Sequence, residues 1–328
     1  MAVYTQVSDE ALAEFLAAYD LGAALAFKGI AEGVENSNYY LETERGRFIL
    51  TLFEKRVNAA ELPYFIGLKL HLAAKGYPCP EPVMGRDGGA LRTLEGRPAV
   101  IVTFLEGLSP RRPNVRQCRA LGEGLAQMHV ALADFSMQRA NSLGPAAWSQ
   151  LWQGRATSAE ALQQGLAATV EDAFARIREA RAFSGQLPRG TIHADLFPDN
   201  AFFLGDRFSG AIDFYFACTD ALAYDLAVCL NAWAFDDGNA ADASRLEYNF
   251  SKGAALIAGY QSVRPLTAPE REALPALCLG AAMRFFLTRF VDWTSTPPGA
   301  LVRPKNPLEY AARLAFHLRM DSAEGYGA

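Results

Sequence analysis

The segment His193-Ala194-Asp195-Leu196-Phe197-Pro198-Asp199-Asn200, followed by Ile212-Asp213-Phe214, constrains this 328-residue chain more than any other feature. It sets an Asp and an Asn five residues apart and a second Asp thirteen residues further on. Gly190-Thr191-Ile192 reads as a strand entering a loop, and Ala201-Phe202-Phe203-Leu204 as a second strand. Gly205-Asp206 gives a turn, and residues 208–214 return as a third strand, which brings Asp213 back beside Asn200. Asp199, Asn200 and Asp206 also suit ordinary turns, so the spacing of Asp213 between apolar neighbours carries the weight. The three residue types suit phosphoryl transfer. One carboxylate, Asp195, orients an attacking hydroxyl and takes its proton. Two oxygen ligands, Asn200 and Asp213, hold Mg²⁺, a hard cation, against the triphosphate of ATP.

Charge and composition narrow the classes further. A formal net charge of −5 argues against a nucleic-acid footprint, which needs clustered positive charge, and no basic run exceeds Arg111-Arg112. The five cysteines (Cys79, Cys118, Cys218, Cys229 and Cys278) are odd in number and show no zinc spacing, so they read as reduced, mostly buried thiols. The first fifteen residues carry Asp9, Glu10 and Glu14 and lack the basic start and apolar core of a signal peptide. No run reads as a membrane span. The expectation is a cytoplasmic protein with a small-molecule partner and neither nucleic acid nor membrane; oligomeric state is not encoded legibly.

The order catalytic Asp, metal-binding Asn, metal-binding Asp is that of protein kinases, but His193-Ala194-Asp195 stands for H-R-D, Ile212-Asp213-Phe214 for D-F-G, and no A-P-E segment follows. The segment instead resembles the aminoglycoside phosphotransferase and choline kinase superfamily. Ala223-Tyr224-Asp225-Leu226-Ala227 is similar to its D-L-A element, in which Asp225 would anchor backbone near the catalytic loop. The resemblance implies an α+β, protein-kinase-like two-lobe fold, with a small antiparallel-sheet lobe and a larger, mainly helical one. The expected lobes are 1–106, which clamps nucleotide, and 107–328, which carries catalysis and substrate.

Patterning agrees. Residues 8–19 read as a helix capped by Ser8, and residues 25–30, 38–43 and 47–53 as strands. Residues 59–75 read as a helix, and 85–94 and 98–105 as two further strands. Thr103 and Leu105 sit at the expected hinge, their backbone facing the adenine edge. Beyond it, helices are expected over 117–133, 148–181 (with breaks at Gly154 and Gly165), 221–234, 243–260, 270–293 and 308–320, with a frayed tail from Asp321. Gly29 and Gly33 let backbone approach phosphate, and Ser37 and Asn38 add side-chain donors. The third strand departs from the kinase pattern: Thr51 occupies the place of the phosphate-binding lysine. Lys28, Lys55 and Arg47 are nearby cations, and Lys28 is the preferred substitute. The alternative is that Mg²⁺ and backbone N–H groups suffice.

Lys28-Gly29-Ile30-Ala31-Glu32-Gly33-Val34-Glu35-Asn36-Ser37-Asn38-Tyr39 and Arg47-Phe48-Ile49-Leu50-Thr51-Leu52-Phe53-Glu54 are similar to the start and third strand of bacterial homoserine kinases built on this fold. Met283-Arg284-Phe285-Phe286 and Arg289-Phe290-Val291-Asp292 extend the likeness. It implies ATP-dependent phosphorylation of L-homoserine, a step of threonine biosynthesis. Patterning alone reaches only a small-molecule kinase. A kinase for choline, an aminoglycoside or a sugar derivative stays open, as does a nucleotide-binding pseudokinase. For the homoserine carboxylate the candidates are Arg284 and Arg289, one facing the cleft while the other pairs with Asp292. For the ammonium they are Asp236 and Asp237, which follow the helix that carries Asn231 and Trp233, and Tyr215 is a further lining residue.

Overall fold

A computed structural model of the chain describes residues 4–31, 36–54, 58–237, 246–297 and 304–328. The chain divides into two compact units. The first holds residues 1–107 together with Asp134–Met137 and Ser209–Tyr215; the second holds Leu108–Ala133, Gln138–Phe208 and Phe216–Ala328. Asp213 therefore belongs to the first unit, which a single cut at 106 does not capture.

The first unit is built on five antiparallel strands. These are β1 (Ala24–Gly29), β2 (Asn36–Thr43), β3 (Gly46–Phe53), β4 (Arg92–Leu94) and β5 (Arg97–Thr103), in the order β1-β2-β3-β5-β4. Alternating apolar residues put Tyr39, Leu41, Phe48, Leu50 and Leu52 into one core with Ala99 and Ile101. Helix α1 (Asp9–Leu16) adds Leu12, Phe15 and Leu16 to the same core, and the Ser8 hydroxyl caps its start. Helix α2 (Leu62–Ala74) follows a 3₁₀ turn and starts with Pro63 in its first turn, where the missing N–H has no helical partner to lose. The expected strand over 85–94 shortens to β4. Gly85-Arg86-Asp87-Gly88-Gly89 closes a turn instead, with Gly88 at φ 79° and the Asp87 carboxylate taking the Gly89 N–H.

The second unit is mostly helical. Helices α3 (Val115–Ala131), α4 (Pro145–Trp152), α5 (Ala156–Leu162) and α6 (Leu166–Ala180) come first, with breaks at Gly154 and Gly165, both at positive φ. Strand β6 (Arg189–Ile192) leads into the catalytic segment and pairs antiparallel with β9 (Cys218–Ala221), while β7 (Ala201–Leu204) and β8 (Arg207–Ala211) make a two-stranded sheet. Helix α7 (Leu222–Trp233), strands β10 (Phe235–Asp237) and β11 (Leu246–Tyr248), and helices α8 (Phe250–Val263), α9 (Ala268–Ser295) and α10 (Leu308–His317) complete it. Helix α9 is long and apolar enough to cross a membrane, yet 83% of its apolar window is enclosed, packed against α4, α6, α7 and α10.

Two expectations change here. Part of the segment expected as a helix over 243–260 forms β11, because its alternating Leu246 and Tyr248 pair with Asp237 and Phe235; residues 243–245 lie outside the described residues. The tail is tied down. Tyr326 is fully buried, its ring packs on Tyr248, and its hydroxyl meets His317 Nδ1 at 2.9 Å.

Candidate active site

The loop that follows β6 holds its backbone in an uncommon shape. Ala194 sits at φ 64°, a region that penalises a Cβ, and it does so between two buried charges. Its N–H donates to Asp225 Oδ1 at 2.8 Å, and its carbonyl accepts from the Arg284 guanidinium. The His193 N–H donates to the other Asp225 oxygen at 2.7 Å. Asp225, from the first turn of α7, is fully buried and also meets His129 Nε2 at 3.1 Å, while His129 Nδ1 meets the Tyr260 hydroxyl. Burial pushes the Asp225 carboxyl up, but the His129 hydrogen bond, its charge and the His193 contacts outweigh it and hold the group below the ordinary aspartate value. The expected anchoring role of Asp225 has this physical form.

Asp195 follows in the same loop. Its side chain is 19% exposed, and Arg284 Nη2 lies 3.7 Å from its Oδ1. Burial raises its carboxyl above the ordinary value, opposed first by Arg284 and then by His193; a carboxylate so raised is the stronger base. Asn200 donates through Nδ2 to the Asp195 carbonyl at 2.8 Å. That commits the amide nitrogen to the loop and leaves Asn200 Oδ1 as the side chain's acceptor. The next loop carbonyl, of Leu196, accepts from Trp233 Nε1 at 2.8 Å. In the second unit the structure thus brings together Asp195, Asn200 and Arg284.

In the first unit, Asp213 sits at φ 61°, also left-handed, just after β8. The ring of Tyr215, two residues on, packs edge-on against Phe53 at the end of β3 and Phe65 of α2. The ammonium of Lys69, one turn beyond Phe65, lies 5.9 Å from the same ring centre. Lys69 is 7% exposed. Burial lowers it to about 8. Of the two neighbours that favour its charge, Cys79 is a neutral thiol pushed up to about 12, so the Asp213 carboxylate is the one that carries charge. Sequence reading passed over Lys69, although a lone Lys in the mostly apolar run Ile66-Gly67-Leu68-Lys69-Leu70-His71-Leu72 is the signal that could have found it.

The other expected residues fall as follows. Ser37 is fully buried and engaged: its hydroxyl donates to Glu54 Oε1 at 2.7 Å and accepts from the Tyr4 and Thr5 N–H groups, so it is no phosphate donor. Asn38 stands opposite Thr51 on the β2–β3 pair, with its Oδ1 taking the Thr51 hydroxyl at 2.8 Å. Gly29 ends β1, Lys28 is exposed on that strand, and Gly33 and Lys55 lie outside the described residues. Arg47 pairs with Glu106 and lies over Phe104. The Thr103 N–H is taken by the Glu81 carbonyl, while Leu105 makes no backbone–backbone hydrogen bond among the described residues.

Several substrate expectations are corrected. Arg284 is 2% exposed, with its guanidinium engaged by Ala194 and Asp195, so it serves the loop and not a substrate carboxylate. Arg289 pairs with Glu309 at 2.7 Å and stacks over Tyr310, not with Asp292. Asn231 is fully buried, donating to the Ala227 and Cys278 carbonyls and accepting from His317. Asp236 is bound by Lys252 and Asn249. Tyr215 packs with α2 in the first unit, whereas Asn231 and Asp236 belong to the second. Lys305 is a cation the sequence reading did not weigh. It is exposed, 5.8 Å from the Phe197 ring centre, and close enough to act on the Asp195 charge.

Asn200 and Asp213 supply hard oxygen donors of the kind Mg²⁺ takes alongside phosphate oxygens, and Asn200 already has its nitrogen directed at the loop.

Residues 26–266 match the phosphotransferase enzyme family, and the chain belongs to it. Within it the chain groups with homoserine kinases. It is 80% identical to the homoserine kinase of Hyphomonas neptunium over the full length of both chains, and 58% identical to that of Methylobacterium sp. strain 4-46, covering all of this chain and 99% of the relative. Among solved structures it is similar in fold to an amicoumacin kinase in complex with AMP-PNP and Ca²⁺ (TM-score 0.63, 14% identity, 94% and 92% of the two chains covered). A microcompartment-associated aminopropanol kinase gives a TM-score of 0.63 at 19% identity, with 95% of each chain covered. The fold is protein-kinase-like.

Proposed function

We propose that the protein phosphorylates the side-chain hydroxyl of L-homoserine with ATP, giving O-phospho-L-homoserine and ADP, a step of threonine biosynthesis in the cytoplasm. Full-length identity of 80% to a homoserine kinase carries the reading. Asp195 orients the hydroxyl and takes its proton as the new O–P bond forms and the bond from the γ-phosphorus to the β,γ-bridging oxygen breaks. Asn200 and Asp213 would hold Mg²⁺, which would neutralise phosphate charge. Arg284 and Asp225 fix the loop that carries Asp195. Leu105 offers backbone to the adenine edge. With Arg284 and Arg289 engaged inside the protein, Lys305 meets the substrate carboxylate.

The pseudokinase reading started from Thr51, and the intact Asp195, Asn200 and Asp213 speak against it. The test is ADP release across a panel of L-homoserine, choline, ethanolamine and an aminoglycoside. Homoserine should be turned over with the highest kcat/KM, and a better turnover of any other alcohol would discard the substrate assignment.

A further inference from the structure

The third strand carries no cation at the position where a kinase of this fold holds phosphate, and Thr51 there is satisfied by Asn38. The nearest cations of the sequence do not fill the gap evenly. Arg47 is engaged by Glu106, and Lys28 is solvent-exposed on β1. Lys69 stands apart from them. Phe65 and Lys69 are four residues apart on α2 and so share a face. That face meets the ring of Tyr215, with Phe65 at 5.4 Å between ring centres and the Lys69 ammonium at 5.9 Å. The same ring meets Phe53, the last residue of β3, at 5.5 Å. One aromatic ring therefore ties together the strand that lacks the lysine, the helix that has one, and the Asp213 segment.

Lys69 as a whole is 7% exposed, yet among the described residues no carboxylate lies within ion-pair distance of its ammonium. Asp213 is near enough to favour its charge without closing a pair. A buried charge left in that state is destabilising, and such a residue is explained when a ligand supplies the missing anion. We propose that Lys69 supplies the positive charge for the nucleotide's α- and β-phosphates that β3 lacks at Thr51. This rests on ATP being the phosphoryl donor.

Calorimetric titration of the full-length protein with ATP, ADP and adenosine, each with Mg²⁺ and with EDTA, tests it. Lys69→Met should weaken ATP and ADP by about 10- to 100-fold, the worth of hydrogen bonds to a charged group, and leave adenosine unchanged. Lys69→Arg should keep part of the preference for ATP over adenosine. In the absence of nucleotide, Lys69→Met should melt at a higher temperature than wild type, since a desolvated charge has gone, and ATP should raise its Tm less. Lys69→Gln is a second removal variant read by the same comparison. Unchanged ATP affinity overturns the proposal, and so does an equal loss for adenosine. A loss seen only with Mg²⁺ present also overturns it, because Lys69 would then act on Asp213 alone. A wild-type protein that binds ATP but leaves homoserine unphosphorylated sinks the substrate assignment and spares this inference.

Discussion

Ala194 carries the main lesson at the scale of single residues. A non-glycine residue at φ 64° costs about 1–2 kcal/mol, and here the Asp225 carboxylate and the Arg284 guanidinium hold it there. Ala194→Gly would relieve that strain and lose about 0.5–1 kcal/mol to unfolded-state entropy. The two effects nearly cancel, so thermal melts should show little change. Asp195→Asn should leave ATP binding intact and lower kcat by roughly 10²–10⁴-fold; turnover near the wild-type rate in a steady-state assay would reassign the base. Arg284→Ala removes one partner of a buried charge pair, a change of about 3–5 kcal/mol. It should lower kcat while leaving the KM for homoserine, and the preference over an amino alcohol without a carboxylate, unchanged. A selective rise in that KM would return Arg284 to the substrate. Sequence reading gave Arg284 the substrate carboxylate as its anion. It could not see that the anion comes from the chain itself, because the partners Ala194 and Asp195 are 90 and 89 residues away.

Elements show where local pattern suffices and where it does not. Strands β2 and β3, helix α1 with its Ser8 cap, and the breaks at Gly154 and Gly165 follow from periodicity and turn chemistry that act within a few residues. β11 and the C-terminal turn do not, since both are held by distant partners: β11 by β10, and Tyr326 by His317 and Tyr248. His317 makes the second case testable. Asn231 Nδ2 donates to two carbonyls, so its Oδ1 accepts from His317 Nε2–H, and His317 Nδ1 accepts from the Tyr326 hydroxyl. Burial, with Arg313 adding to it, lowers His317 to about 3. The fold therefore holds the neutral ring, while the unfolded chain takes up a proton below about 6.5. Stability from this site is full above that pH and falls as pH drops from about 6.5 toward about 3. Tm measured between roughly pH 7.5 and 4.5 should fall less steeply in His317→Gln than in wild type. Parallel slopes would mean that His317 is not the group that titrates.

Across the whole molecule, 31 Lys and Arg face 36 Asp and Glu, so anionic substrates approach a chain of net charge −5 and depend on local cations. Many of those cations are already paired, among them Arg47 with Glu106, Arg189 with Asp220, Lys252 with Asp236 and Arg289 with Glu309. Lys69 and Lys305 differ: among the described residues no carboxylate lies within ion-pair distance of either. The kinase-like fold was legible because the residue types of the His193–Asn200 segment and Asp213 recur at fixed spacing. The substrate cations were not, since pairing is decided by tertiary contacts that leave no local trace. Sequence reading therefore chose arginines that proved to be engaged. Lys305 stands beside Phe197, two residues beyond the base, which suits a zwitterion whose hydroxyl reaches Asp195 while its carboxylate lies nearer the exposed ammonium. Lys305→Ala should raise the KM for homoserine by about tenfold, the lower end for a hydrogen bond to a charged group, with the KM for ATP unchanged. It should also narrow the preference for homoserine over an amino alcohol that lacks the carboxylate, because only the former loses a partner. The two kcat/KM ratios, measured side by side at one ionic strength, decide the matter. If both substrates lost activity equally, Lys305 would be acting on the charge of Asp195 and not on the carboxylate.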